Sequence, residues 1–197
     1  MPEMTLENLK AAVRKIGSRF PDREERARRL FLTERPASMS RQEDREFAIK
    51  TQISKFFDIP YSAVAFCGSG QIGFSAHKNK LFEPGTSDLD AACIDTDLFQ
   101  RAWMDVVSST RAFTDLSAFG QRGQFGVDLL RDQIVRRGMI RVEAMPNSNL
   151  SRTWSSFQRA VSRDHTDLFQ RITIAIYINE FAFCWKQDSA LTQIMRD

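Results

Sequence analysis

Along the first sixty residues, apolar positions recur every three or four residues, and this spacing is typical of amphipathic helices. The first predicted helix carries four such positions: Leu6, Leu9, Val13 and Ile16. The charged segment 22–29 indicates a second, short helix that ends before Pro36. A third helix is predicted to begin at a capping box, Ser40 with Glu43, and to end before Pro60. Its apolar face is formed by Ile49, Ile53, Phe56 and Phe57.

Beyond Pro60 the pattern changes to short apolar runs separated by turns, which predicts four strands: residues 63–67, 89–94, 139–144 and 171–178. Helical spacing returns along two apolar stripes: Phe99, Trp103, Val106 and Val107, then Leu150, Trp154, Phe157 and Val161. A further helix around Leu130 and Ile134 is predicted to end at Gly138. A last helix is predicted over residues 189–195.

This order of elements predicts an α+β protein in which helices flank a small mixed sheet. The length of 197 residues favours one compact unit, and the sequence has no internal repeat or low-complexity linker. We therefore expect an N-terminal helical segment, residues 1–59, packed on a core, residues 60–197, that carries the C-terminal helices.

The composition indicates the cellular compartment of the protein but says little about its function. The three cysteines, Cys67, Cys93 and Cys184, are too widely spaced for a zinc knuckle, and their odd number argues against a disulfide framework. Residues 1–15 are interrupted by charges, and no apolar run approaches the roughly 20 residues of a membrane span. We expect a soluble, cytoplasmic protein without a membrane partner. Since the net charge is only +3, phosphate binding has to be argued from local features.

The residues that carry chemistry fall between positions 64 and 95. Gly68 and Ser69 follow a predicted strand, and glycine there lets backbone amides approach an anionic ligand, as in a phosphate-binding loop. Asp88 and Asp90 are two residues apart at the start of the next strand, so both carboxylates project from one face. Two such carboxylates repel each other unless a cation lies between them, and Mg²⁺ suits this oxygen-donor set. In-line phosphoryl or nucleotidyl transfer is the chemistry of such a site.

The same residues resemble the signature of the polymerase-β-like nucleotidyltransferase superfamily, in which Gly-Ser and a loop are followed by Asp-x-Asp. The matching residues are Gly68, Ser69, Ser87, Asp88 and Asp90. The longer pattern Gly-Ser-x-x-x-Gly-Phe-Ser, from Gly68 to Ser75, looks like that of short bacterial nucleotidyltransferases, some of which are encoded in anti-phage defence operons. The close match covers about the central third of the chain.

This resemblance implies a polymerase-β-like core and a nucleoside triphosphate substrate such as ATP. Asp88 and Asp90 would hold Mg²⁺, or Mn²⁺ in its place, and act as catalytic residues. The implied nucleotide-binding residues are Gly68, Ser69, Ser75, Lys78, Lys80 and Ser87. A third catalytic carboxylate is expected on a later strand, but the strand 171–178 carries Thr173 in its place. Glu143 is the first substitute and Asp128 the second.

Structural alternatives to these interpretations remain open at the level of sequence. Residues 68–73 are also compatible with a plain strand-to-helix turn, and Asp88 with a helix cap. Lys78 and Lys80 are equally compatible with ordinary loop charges. His77 and His165 lie far from any cysteine cluster, so we expect no zinc site. Arg141 would reach a phosphate if its strand bordered the site.

Three functions fit these features. The first, which we favour, is template-independent synthesis of short oligonucleotides or of a nucleotide signal in bacterial antiviral defence. The second is a toxin-type transfer of a nucleotide to tRNA or to a protein hydroxyl. The third is a catalytically degenerate regulator that binds a nucleotide or a partner. The expected partners are an oligonucleotide or protein acceptor, an operon-encoded effector protein and a second copy of the chain.

Overall fold

A computed structural model describes residues 5–192 and 194–195 of the chain. Within these residues the helices are α1 Leu6–Arg19, α2 Arg23–Ala27, α3 Glu43–Phe57, α4 Gly68–Ile72, α5 Thr96–Ser109, α6 Gly123–Arg137, α7 Asn149–Arg163 and α8 Glu180–Leu191. The strands are β1 Val64–Cys67, β2 Phe74–Ser75, β3 Lys80–Leu81, β4 Leu89–Ile94, β5 Met139–Arg141 and β6 Ile172–Tyr177. A π-helix, Arg28–Thr33, extends α2, and short 3-10 helices occur at Ala37–Met39, Tyr61–Ala63, Ser117–Arg122 and Val142–Ala144.

Four strands form the main sheet in the order β1-β4-β6-β5, while β2 and β3 form a separate hairpin. The β4 and β6 strands run parallel, and the pairs β1–β4 and β5–β6 are antiparallel. The register sets Asp90 of β4 between Cys67 of β1 and Thr173 of β6. The start of β4 is therefore enclosed by residues of both neighbouring strands.

Helices cover both faces of the sheet, because its strands are apolar on both sides. On one face, Phe66, Leu89 and Ile174 belong to a core that also contains Ile53 of α3 and Trp154 of α7. On the other face, a second core is built from residues of α1, the π-helix, α8 and the sheet: Val13, Leu30, Phe31, Ala92, Tyr177, Phe183 and Leu191. Since side chains alternate along a strand, Asp90 lies on the same face as Ala92, the face covered by α8.

The structure confirms the α+β class with a small mixed sheet, and the predicted strands at 63–67, 89–94 and 171–178 are present. The strand predicted over 139–144 ends at Arg141 and continues as a 3-10 turn. Arg122 explains this early end, because its guanidinium donates hydrogen bonds to the backbone carbonyls of Glu143 and Met145. None of the helices in the described part combines the length and the apolar character that a membrane span requires.

Two helix ends differ from the predictions. The capping box at Ser40 is absent, because Ser40 ends a 3-10 turn and α3 begins at Glu43 without a side-chain cap. The last helix begins at Glu180 rather than at residue 189, since the side chain of Asn179 accepts a hydrogen bond from the backbone N–H of Ala182. It ends at Leu191, and residue 193 of the predicted helix lies outside the described residues.

Candidate functional site

A cleft of about 670 Å³ opens where β1 and β4 meet the β2–β3 hairpin and α8. Its lining includes every residue that the sequence predicted to bind metal or nucleotide, apart from the third carboxylate: Gly68, Ser69, Ser75, Lys78, Lys80, Ser87, Asp88 and Asp90. These residues come from α4, β2, β3 and β4 and from the segments that connect the strands. The fold thus brings the glycine-serine motif and the two aspartates into one concave surface, which is where small-molecule sites are usually found.

Gly68 lies at the point where β1 passes directly into α4. Its φ of 64° is in the left-handed region, where glycine is favoured. A Cβ atom at this position would lie 2.4 Å from Oδ2 of Asp90, much closer than two such atoms can approach. Glycine is therefore favoured here both by its backbone conformation and by the space that the Asp90 carboxylate occupies, since any side chain would displace that carboxylate.

Each carboxylate of the aspartate pair is held by a residue of the β6 region. The hydroxyl of Thr173 donates a hydrogen bond to Oδ1 of Asp90, with 2.5 Å between the oxygens. The Arg171 guanidinium donates to Oδ2 of Asp88 at 2.8 Å. This hydrogen bond raises the pKa of Arg171, and the charges of Asp88, Glu143 and Asp90 act in the same direction. Both carboxylates are thus oriented before any ligand binds.

The hairpin side of the cleft is built from local hydrogen bonds. The Ser75 hydroxyl accepts a hydrogen bond from the backbone N–H of Lys78, and the Ser87 hydroxyl accepts one from the N–H of Glu83. Lys80 forms an ion pair with Glu83 at 3.0 Å, and its side chain is 57% exposed. Because solvent screens an exposed charge, Lys80 contributes less to anion binding than a buried cation would.

The strand of Arg141 borders the cleft, which is the condition that the sequence analysis set for this arginine to reach a phosphate; sequence reasoning did not identify Lys186, which α8 contributes to the same lining. Burial lowers the pKa of the Lys186 ammonium below its usual value; the charges of Arg137 and Arg141 lower it further, whereas the charge of Asp90 acts against them. Arg137 and Arg141 also line the cleft, so cationic side chains and the aspartate pair share one lining. The signal in the sequence was a single lysine in the otherwise uncharged run from residue 181 to residue 187.

Two further side chains of the cleft lining, those of Cys67 beside Asp90 in the sheet and of Tyr177 on β6, remain uncharged. Burial raises the pKa values of the Cys67 thiol and the Tyr177 hydroxyl far above their usual values. The Tyr177 hydroxyl accepts a hydrogen bond from the side-chain amide of Gln187, at 3.2 Å. The positive charge of Lys186, Arg137 and Arg141 in the lining is therefore not offset by a Cys67 thiolate.

The structure separates both substitutes for the third carboxylate from the cleft lining. Glu143 lies in the 3-10 turn after β5, forms an ion pair with Arg141 at 3.6 Å and lines a second cavity. Asp128 lies on α6, where it forms an ion pair with Arg131 at 3.3 Å.

His77 borders the cleft, whereas His165 is buried elsewhere. Within residues 5–192 and 194–195, no three histidine, cysteine or acidic side chains are grouped to hold a metal ion.

The donors in the cleft nevertheless suit magnesium. Mg²⁺ prefers oxygen ligands and is commonly bound by one or two carboxylates together with substrate phosphates and water. Asp88 and Asp90 supply the carboxylates, and the hydroxyl of Ser69 lines the same cleft. Cys67 and His77 also line the cleft, but burial raises the pKa of the Cys67 thiol, which argues against the thiolate ligand that zinc prefers.

Comparisons of the whole chain with models of protein families, with curated proteins and with solved structures find no match. We therefore infer function from the residues of the cleft and from the motif that Gly68, Ser69, Asp88 and Asp90 form. Fold alone would not indicate an activity, since unrelated chemistries share similar α+β scaffolds.

Proposed function

We propose that the protein is a magnesium-dependent nucleotidyltransferase that binds a nucleoside triphosphate in the cleft. The observation that carries this proposal is that the pair of aspartates, Asp88 and Asp90, lines one concave site together with the half-buried Lys186. A triphosphate with its metal ion has the complementary distribution of charge, because the metal requires anionic ligands and the phosphate oxygens require cations.

Residues of the protein orient the metal-binding carboxylates and supply the cations that bind the phosphates. Thr173 fixes the rotamer of Asp90, and Arg171 fixes that of Asp88, so the carboxylates need little reorganisation when ligand enters. Lys186 and Arg141 bind the phosphate chain from the opposite side. Gly68 allows the backbone of the β1–α4 turn to approach the same phosphates. Magnesium, when bound, offsets negative charge on the phosphates and lowers the pKa of the attacking hydroxyl.

Within this chemistry we favour template-independent addition of nucleotides to an oligonucleotide or nucleotide hydroxyl, giving a short oligomer or a nucleotide signal. The cleft is open to one side, which leaves room for an acceptor. The role in bacterial antiviral defence, with an operon-encoded effector as partner, follows from the motif's resemblance to short bacterial nucleotidyltransferases. We place the activity in the cytoplasm, in keeping with three free thiols: Cys67, Cys93 and Cys184.

The decisive experiment is incubation of the purified protein with each labelled NTP and dNTP, with Mg²⁺ or Mn²⁺, followed by separation of products on a sequencing gel. Reactions are run with no acceptor, with a short oligonucleotide and with tRNA. Asp90→Asn should abolish product, since it removes a metal-binding charge while keeping the shape of the side chain. Asp97→Asn, at an exposed position in the first turn of α5, is the matched control and should retain full activity. Equal activity in both variants would exclude the proposed site.

A second candidate function is nucleotide binding without catalysis, and one observation favours it. The position beside Asp90 on β6 carries the hydroxyl of Thr173 instead of a carboxylate. A general base for the acceptor hydroxyl is then missing from that strand. Tight Mg²⁺-dependent binding of a triphosphate by calorimetry, with no product from any acceptor, would establish this function instead.

A further inference from the structure

A second cavity, of about 490 Å³, lies between α7 and the segment that follows β5. We call it the arginine groove, after the residues that dominate its lining: Arg122, Arg152 and Arg159. The hydroxyls of Ser155 and Ser156 lie between the arginines of α7. The groove is therefore polar and lined by donors, unlike an apolar pocket that binds a protein side chain.

The positive charge of the groove is not neutralised by the protein. Arg152 and Arg159 are seven residues apart, two turns of α7, and so lie on the same side of this helix. Arg152 donates to the Asn147 side-chain oxygen and Arg159 to the Ser156 hydroxyl, each at 3.2 Å. In the described part of the chain neither guanidinium forms an ion pair, and the α7 sequence contains no acidic residue.

The third arginine of the groove holds its charge in a fixed position. The guanidinium of Arg122 donates hydrogen bonds to the carbonyl oxygens of Glu143 and Met145, which are neutral acceptors. Of the described residues that line the groove, Glu143 has the only negative charge, and this carboxylate is paired with Arg141. The groove thus has a net positive charge, and the Arg122 guanidinium is held in place by two backbone carbonyl groups.

One ion pair joins a residue that lines the groove to a residue that lines the cleft. Glu143 lines the groove, and its ion-pair partner, Arg141, lines the cleft. The charge of Glu143 also raises the pKa of Arg171, which is bonded to Asp88 of the aspartate pair. The groove and the cleft are therefore adjacent cavities that meet at this ion pair.

We propose that the arginine groove binds the phosphate backbone of a single-stranded oligonucleotide, whose end then enters the cleft as the acceptor. This inference rests on the proposed nucleotidyl transfer and names its acceptor class. Arginines and hydroxyls that contact phosphates give affinity without reading the bases, so binding is independent of sequence. The groove has the volume of a small-molecule pocket, which suits one strand better than a duplex.

The test is fluorescence anisotropy with labelled single-stranded RNA and DNA of mixed sequence, measured without nucleotide or metal. The double variant Arg152→Glu/Arg159→Glu should weaken oligonucleotide binding at least tenfold. The slope of log affinity against log salt should become shallower by about 0.7 for each phosphate contact that is lost. The matched control is Arg131→Glu/Arg136→Glu on α6, where the side chains are 70% and 80% exposed and the same number of charges is reversed. It should bind as the wild type does.

Two outcomes would overturn the inference. One is equal weakening in the groove variant and in the α6 control, which would mean that only the net charge matters. The other is binding of polyglutamate, but not of an oligonucleotide, with dependence on Arg152 and Arg159, which would indicate an acidic protein partner. Binding of a fluorescent ATP analogue with Mg²⁺ is measured separately. Its absence in the wild type would contradict the proposed function while leaving the test of the groove intact.

Discussion

Thr173 and Asp90 lie directly opposite each other on the parallel strands β6 and β4, and the threonine hydroxyl donates to the carboxylate at 2.5 Å. Thr173 is almost completely buried. The aspartate is thereby oriented by a neutral group at the position where the resemblance to polymerase-β-like enzymes predicts a third carboxylate. In the proposed metal site, this pair leaves two acids where the resemblance predicts three.

Thr173→Asp should make the stability of the protein depend on magnesium. A carboxylate buried beside Asp90 without a counter-charge is expected to lower the free energy of unfolding by about 3 kcal/mol in EDTA. Mg²⁺ should recover most of this loss, because it binds between the acids. Thermal unfolding with and without Mg²⁺ measures the effect. Thr173→Val, which removes the hydroxyl but adds no charge, is the control and should show no gain in magnesium response.

Lys186→Met should weaken triphosphate binding by about tenfold, equivalent to about 1.4 kcal/mol. Lys186 is a half-buried cation in the cleft, where solvent screens charge interactions less than at the open surface. Lys80→Met is the matched control, since Lys80 lines the same cleft but is exposed and already paired with Glu83. Calorimetric titration with Mg²⁺ and a non-hydrolysable triphosphate compares the two variants. A larger loss for Lys80→Met than for Lys186→Met would contradict the assignment of the phosphate-binding wall.

Gly68→Ala should destabilise the protein and abolish metal-dependent nucleotide binding, because the new Cβ would displace the carboxylate of Asp90. Part of the stability loss, about 1 kcal/mol, comes simply from placing alanine at a positive φ. Gly85→Ala isolates that part: its φ is 73°, and an added Cβ would make only ordinary contacts, at 3.7 Å. Urea unfolding of both variants should give the greater loss for Gly68→Ala. Similar losses, with nucleotide binding retained in both, would mean that the contact with Asp90 is unimportant.

His165 should make the protein less stable as the pH falls below about 6.5. Burial lowers the pKa of its imidazole in the folded state, and Arg45 lowers it further, although Asp164 and Asp167 act in the opposite direction. The unfolded chain therefore binds a proton at a higher pH than the folded protein does, so stability is lost between pH 6.5 and the lower folded pKa. His165→Gln should reduce the decrease in unfolding free energy between pH 7.5 and pH 5. His77→Gln, at an exposed position, should leave that decrease unchanged.

Local patterns in the sequence predicted most of the secondary structure. Within the site, they predicted the glycine-serine turn and the two aspartates. Apolar runs predicted β4 and β6 nearly to their ends, and the second run is also rich in β-branched residues. Gly138 ends α6 in the left-handed conformation that a helix C-terminus favours. Gly68 directly follows β1, and Asp90 lies on β4, which pairs with β1, so their proximity depends on the pairing of two strands between which the chain forms α4 and the β2–β3 hairpin. Where a tertiary contact competed with a local signal, as Arg122 does at the end of β5, the sequence prediction was wrong.

The sequence by itself therefore determined the α+β class, the glycine-serine turn and the aspartate pair, because each depends on residues close together in the chain. Only the tertiary structure decided that Thr173, 83 residues from Asp90, is its hydrogen-bond partner. It alone also placed Lys186 in the same cleft as the aspartates and set Glu143 outside the cleft lining. These relationships depend on the strand order and on the packing of α8 across the sheet, and both are fixed by burial of apolar surface from distant segments, which no short stretch of sequence encodes.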